Sequence, residues 1–266
     1  MSFKQLENRI GGAQVNYHFN FSIKRRYLYV QNSKCACTYL KSSLSLVELA
    51  DSRFFEEGYQ YTNPRIVVPD ALGKNPHQPV NRSVFVKPYQ LGVAAFDGLL
   101  SAPGYFKFTV VRNPYARALS AYLDTVKRDR LPFQELKPEL AAVKAMPVLA
   151  VSSENVSFAD FLRAIELRVQ AGGWKAVDQH YRAQGMHISD DIISYSKIFR
   201  LERFPEAIDE ISQHLGARLP EGKKGAHATD SDSKLAQYFE GSECRELVRR
   251  IYRNDLERFD YDFPVT

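Results

Sequence analysis

Short apolar runs alternate along this chain with stretches whose apolar residues recur at helical spacing. Tyr27-Leu28-Tyr29-Val30, preceded by Lys24, Arg25 and Arg26, is an aromatic and β-branched run of strand length. Beyond the small-residue segment Ser33-Lys34-Cys35-Ala36-Cys37-Thr38, Leu40, Leu44 and Val47 fall at i, i+4 and i+7, which predicts an amphipathic helix. The order repeats further on. Tyr105 to Val111 is nearly continuous in apolar residues, as in a strand covered on both faces. Asn113 follows as a candidate N-cap and Pro114 as a first helical residue, with Ala118, Leu119, Ala121, Tyr122 and Val126 continuing the helix. A third strand begins at Ile198-Phe199-Arg200-Leu201; its helix carries Ile208, Ile211 and Leu215 and stops at Gly216. Leu247, Val248, Ile251 and Tyr252 mark a last helix. Several prolines and mixed polarity between Asp51 and Gln90 predict irregular structure there.

Strands alternating with helices predict an α/β fold, a single domain over 1–266 with a central parallel sheet flanked by helices. In such sheets ligands bind beyond the carboxyl ends of the strands, where both the 33–38 and 112–114 loops fall. The chain's 266 residues, 44% of them apolar, suffice for a sizeable core. Lys and Arg number 36 against 31 Asp and Glu, giving +5 and a pI near 9.0, which suits an anionic ligand but is too small an excess to indicate nucleic acid. No apolar run is long enough to span a bilayer and none has signal-peptide form, so a cytoplasmic protein is expected, with peripheral membrane contact left open. Three cysteines, two of them separated by one residue, favour reduced thiols. No Cys/His spacing or carboxylate cluster suggests a metal site.

The first loop has the chemistry of a phosphate cradle. Small side chains at Cys35, Ala36 and Cys37 let backbone N–H groups approach an anion, the helix start adds partial positive charge, Lys34 brings a full one, and Thr38 a hydroxyl. The glycines of the nucleotide-triphosphatase loop are absent. Arg112, Arg117 and Ser120 on the second strand–helix unit form a candidate second anion site, Arg117 and Ser120 sharing a helix face. Taken singly, an ordinary turn at the first loop and a surface ion pair at Arg112 explain these residues as well. Two such loops on successive strand–helix units change that weighting toward anion binding.

Ser33 to Lys41 (SKCACTYLK) resembles the 5′-phosphosulfate loop of the carbohydrate sulfotransferases of chondroitin and dermatan type, PKxACTxxK, and Phe108 to Tyr122 resembles their 3′-phosphate motif, FxxVRxPxxRxxSAY. Weaker similarities join Val156 to Phe161 and Asp178 to Tyr181 with the "SFxxF…HW" block, Ile198 to Glu202 with a late strand, and Ile251 to Leu256 with a "YxxDF" ending. The resemblance spans about 27–262. Ser33 stands for the usual proline and Tyr181 for the usual tryptophan; the missing anchor points to a bacterial cytoplasmic enzyme, or to a Golgi lumenal domain without its anchor.

The resemblance implies a P-loop-like sulfotransferase fold and a donor, 3′-phosphoadenosine 5′-phosphosulfate, used without metal. It implies donor contacts from Lys34, Cys35, Ala36, Cys37, Thr38, Tyr39 and Lys41, and from Arg112 and Ser120 at the 3′-phosphate. A late basic loop containing Lys224 is expected to close over the nucleotide. Lys34 is the expected electrostatic catalyst, and His180 or His77 the expected base toward an acceptor hydroxyl. The acceptor is a carbohydrate or glycolipid. A small-molecule kinase and a non-catalytic polyanion-binding protein remain as alternatives.

Overall fold

The computed structural model describes residues 2–50, 83–219 and 231–264. His77 and Lys224 lie outside the described residues, as does most of the stretch expected to be irregular. In chain order the elements are α1 (Ser2–Ile10), α2 (Gly12–His18), β1 (Phe19–Ser22), β2 (Tyr27–Val30), α3 (Cys37–Leu49), α4 (Pro88–Ser101), β3 (Phe106–Val111), α5 (Pro114–Thr125), α6 (Leu131–Lys144), α7 (Phe158–Gly172), α8 (Gln184–Ile188), β4 (Lys197–Arg200), α9 (Phe204–Leu215), α10 (Leu235–Tyr238), α11 (Ser242–Ile251) and α12 (Arg253–Arg258). The residues group into two compact units. The first comprises Met1–Asn32, Ala36–Val110 and Ile188–Gly225, the second Ser33–Cys35, Val111–His187 and Ala226–Thr266.

The first unit carries a four-stranded sheet of order β1-β2-β3-β4, so the chain is α/β. β2 and β3 pair in parallel, Tyr27 opposite Phe106 and Tyr29 opposite Phe108, and every residue of both strands is buried. That register stacks aromatic rings on one face: Tyr29 on Phe108 at 5.2 Å, Phe108 on Phe106 at 5.1 Å, and Phe106 on His214 of α9 at 4.1 Å. On the other face Leu28 and Val30 join Phe19, Phe21, Phe96 and the apolar sides of α1 and α2. β1 is the antiparallel member of the sheet. Its Asn20 is fully buried because the side-chain amide donates to His18 O (2.8 Å) and Tyr29 O (3.1 Å).

The irregular stretch needs one correction. Val86 bridges to Phe21, and Pro88 to Gln90 open α4, with the Gln90 side chain accepting from the Lys87 N–H at 2.7 Å. Proline here marks a helix start, where its missing N–H costs nothing.

In the second unit α5 is the central element, and all its residues except Leu123 are buried. Asn113 caps it as expected, its side-chain oxygen accepting from Tyr115 N at 3.0 Å. α6, α7 and α11 pack around it. Tyr122 lies among Phe158, Phe161 and Tyr238, and its hydroxyl donates to Val156 O at 2.8 Å. The "SFxxF" block is thereby explained: Ser157 and Asp160 form a reciprocal cap at the start of α7, and the two phenylalanines fill the core.

Candidate active site

Local backbone strain marks the loop after β2. Lys34 (φ 67°) and Ala36 (φ 56°) both adopt the left-handed region, which costs a residue bearing a Cβ about 1 kcal/mol or more and persists only when neighbours enforce it. Within the second unit the enforcement at 33 and 34 comes from Arg112 and from Arg117 of α5. Arg117, 2% exposed, donates through Nε to Ser33 O (3.0 Å) and through its two terminal nitrogens to Arg182 O (2.7 Å) and Gln179 O (3.1 Å). Arg112 donates to Lys34 O at 3.4 Å and to Ser231 Oγ at 2.8 Å. The Arg117 fork, expected to face an anion beside Ser120, is instead committed to three carbonyls, because a buried guanidinium must satisfy its donors. Ser120 is buried on the same helix.

Arg112 is itself fixed by a residue that sequence reasoning missed. The Gln184 side chain accepts from Arg112 N (2.9 Å) and donates to Arg112 O (2.8 Å), completing both backbone bonds at the end of β3. The buried Cys35 thiol points to the same amide oxygen at 3.4 Å. Gln184 is held in turn by Asp255, whose carboxylate accepts from Gln184 N (2.6 Å) and Gly185 N (2.9 Å). Asp255 is the acidic residue of the "YxxDF" ending, so that motif has a positioning role.

The charged centre of the unit is Asp124, one helical turn beyond Ser120. Its Oδ2 meets Lys34 Nζ at 3.0 Å, and its Oδ1 meets guanidinium nitrogens of Arg128 and Arg130, each at 3.1 Å. Burial alone would raise its pKa, but the Lys34 ammonium, with Arg130 and His180, outweighs burial and holds it below the usual carboxylate range. His180 is thus within electrostatic reach of the carboxylate that binds Lys34. The ring is oriented by Asp178, whose Oδ1 lies 2.7 Å from His180 Nδ1. With Nδ1–H donated there, Nε2 is the basic nitrogen. Asp178 also stays ionised: burial raises it, and its bond to His180 more than compensates. Tyr181, in place of tryptophan, is buried with its hydroxyl donating to Pro132 O at 3.2 Å.

The remaining loop residues belong to the first unit. Ala36, in the left-handed region, offers no side-chain cap to α3. Cys37, Thr38 and Tyr39 are partly exposed, and Tyr39 meets Phe204 edge-on at 5.4 Å. Lys41, 4% exposed, lies with Nζ 5.0 Å from the centre of the Tyr17 ring, and burial lowers its pKa to about 8. A second buried lysine, Lys87, donates to Asn20 Oδ1 (2.6 Å), Tyr17 O and Phe19 O; burial and then the charge of Lys41 push it well below the normal lysine value.

Among the described residues no group of three His, Cys, Asp or Glu side chains is placed to hold a metal, and no helix is long and apolar enough to cross a membrane. The model of the sulfotransferase family matches residues 17–262, and the chain belongs to that family. No curated protein and no solved structure matches it.

Proposed function

We propose that the protein moves the sulfuryl group of 3′-phosphoadenosine 5′-phosphosulfate to a hydroxyl of a carbohydrate or glycoconjugate acceptor. The observation carrying this reading is that Lys34, from the donor-loop motif, and His180, from the acceptor-side block, both act on Asp124.

The donor supplies a sulfuryl group; transfer forms a bond from the acceptor oxygen to sulfur and breaks the sulfur bond to the 5′-phosphate oxygen. Lys34 neutralises charge growing on that leaving oxygen. His180 Nε2 takes the acceptor proton, and Asp178 stabilises the imidazolium that results. Arg112 binds the 3′-phosphate with Ser120, the contact that separates this donor from ordinary nucleotides.

Thermal shift tests the donor: adenosine 3′,5′-bisphosphate stabilises the protein and ATP with magnesium does not. Incubation with sulfur-labelled donor and a panel of glycans then reads transfer, and Lys34→Ala reduces kcat more than tenfold while the protein stays folded. Stabilisation by ATP with magnesium only, or full kcat in Lys34→Ala, overturns the reading.

A further inference from the structure

We propose that Asp124 is the positioning residue of Lys34, a built-in counter-ion from which an incoming anion must draw the ammonium. The proposal rests on the donor-binding role of Lys34 given above.

The contact is enclosed: the Lys34 and Asp124 side chains are 9% and 5% exposed, with 3.0 Å between Nζ and Oδ2. Breaking such a pair is ordinarily prohibitive, because it strands a buried charge. Here it does not. The other carboxylate oxygen keeps Arg128 and Arg130, each at 3.1 Å, so Asp124 retains two cations when Lys34 turns away. The backbone of Lys34 need not follow, since Ser33 O is fixed by Arg117 and Lys34 O by Arg112. Only the side chain has to move, by rotation about its four-carbon stem. Three cations on one carboxylate also keep Asp124 ionised, which makes it a poor proton acceptor and leaves that task to His180. Asp124 thus taxes every ground-state anion that engages Lys34. In the transition state the charge on the leaving oxygen is larger, and Lys34 transfers to it more completely.

The tax is measurable as a double-mutant cycle on nucleotide affinity, with adenosine 3′,5′-bisphosphate in calorimetry and four proteins: wild type, Asp124→Asn, Lys34→Met and the double variant. Asp124→Asn is expected to tighten the nucleotide about three- to tenfold while lowering kcat, because Lys34 is freed in the ground state and misplaced for the reaction. In the Lys34→Met background the same change is expected to be without effect. A purely structural role would weaken binding, and simple removal of a negative charge would tighten it equally in both backgrounds; either outcome overturns the proposal. Should Asp124→Asn not fold, the wild type supplies the test through its Lys34 ammonium nitrogen resonance, assigned by its loss in Lys34→Met. That resonance shifts on adding the nucleotide if Lys34 changes partner, and its constancy refutes the exchange. Wild-type protein that fails to bind the nucleotide removes the donor reading and this proposal with it, whereas binding that lacks the Lys34 dependence removes this proposal only.

Discussion

Replacing Arg117 by methionine separates two roles that the sequence leaves open for it, anion ligand and structural tie. Methionine preserves much of the stem volume, so the perturbation is chiefly the loss of three hydrogen bonds from a buried guanidinium to Ser33 O, Arg182 O and Gln179 O. Bonds from a charged donor contribute roughly 1.5–3 kcal/mol each. Their simple sum overstates the loss, because the substitution also relieves the desolvation of a charge in a site only 2% exposed. A net loss of about 3–5 kcal/mol follows, a large fraction of the roughly 5–15 kcal/mol that stabilises an ordinary domain. Urea denaturation followed by circular dichroism reads it as a lower midpoint. Arg250→Met is the control: its partner Glu166 lies on the surface and its side chain is 55% exposed, so less than about 1 kcal/mol is at stake. An Arg117→Met protein as stable as the control, but unable to bind nucleotide, would show that the guanidinium serves a ligand and that the carbonyl contacts are incidental.

Lys41→Met should stabilise the protein. Its pKa falls from 10.5 to about 8 on folding, so burying the charged form costs roughly 3 kcal/mol. That penalty is complete below pH 8, shrinks as the folded protein releases the proton between 8 and 10.5, and is gone above; wild-type stability therefore rises across that window and the variant's does not. A parallel rise in both proteins would refute the assignment to Lys41. His180→Ala is expected to lower kcat about a hundredfold or more with nucleotide affinity unchanged, and Asp178→Asn to lower it less; full activity in His180→Ala would mean another group accepts the proton. Arg112→Ala should weaken adenosine 3′,5′-bisphosphate ten- to a hundredfold more than adenosine 5′-phosphate, and equal losses in calorimetry would reduce Arg112 to its ties with Lys34 O and Ser231.

Elements whose apolar residues follow one clear period were legible. β2 coincides with its predicted run, α5 starts at its predicted cap, and Gly216 ends α9 in the left-handed region (φ 61°). β1 was not legible, because Asn20 and Ser22 interrupt its pattern although both are buried, Asn20 donating to His18 O and Tyr29 O and Ser22 to Glu48. The site divides along the same line. Lys34, Arg112 and His180 stand in wording specific enough to recognise. Asp124, Gln184 and Asp255 act through pairings with residues 90, 72 and 71 positions away, which no local period displays. Arg117 was legible as a charge, but sequence does not show that three carbonyls accept from its fork.

The second unit is assembled from Ser33–Cys35, Val111–His187 and Ala226–Thr266. A ribosome delivers these pieces in that order, so residues 33–35 emerge long before α5 and wait longer still for Ser231 and Asp255. At roughly 5–20 residues per second, the interval between Lys34 and Asp255 is on the order of ten seconds or more. Contacts of such sequence separation form slowly, after local helices are in place. The strained turn at Lys34 can therefore not be a seed of folding; it is imposed late, and a nascent chain halted before α12 would carry the whole donor-loop motif without the Asp255 clasp that holds Gln184 against Arg112.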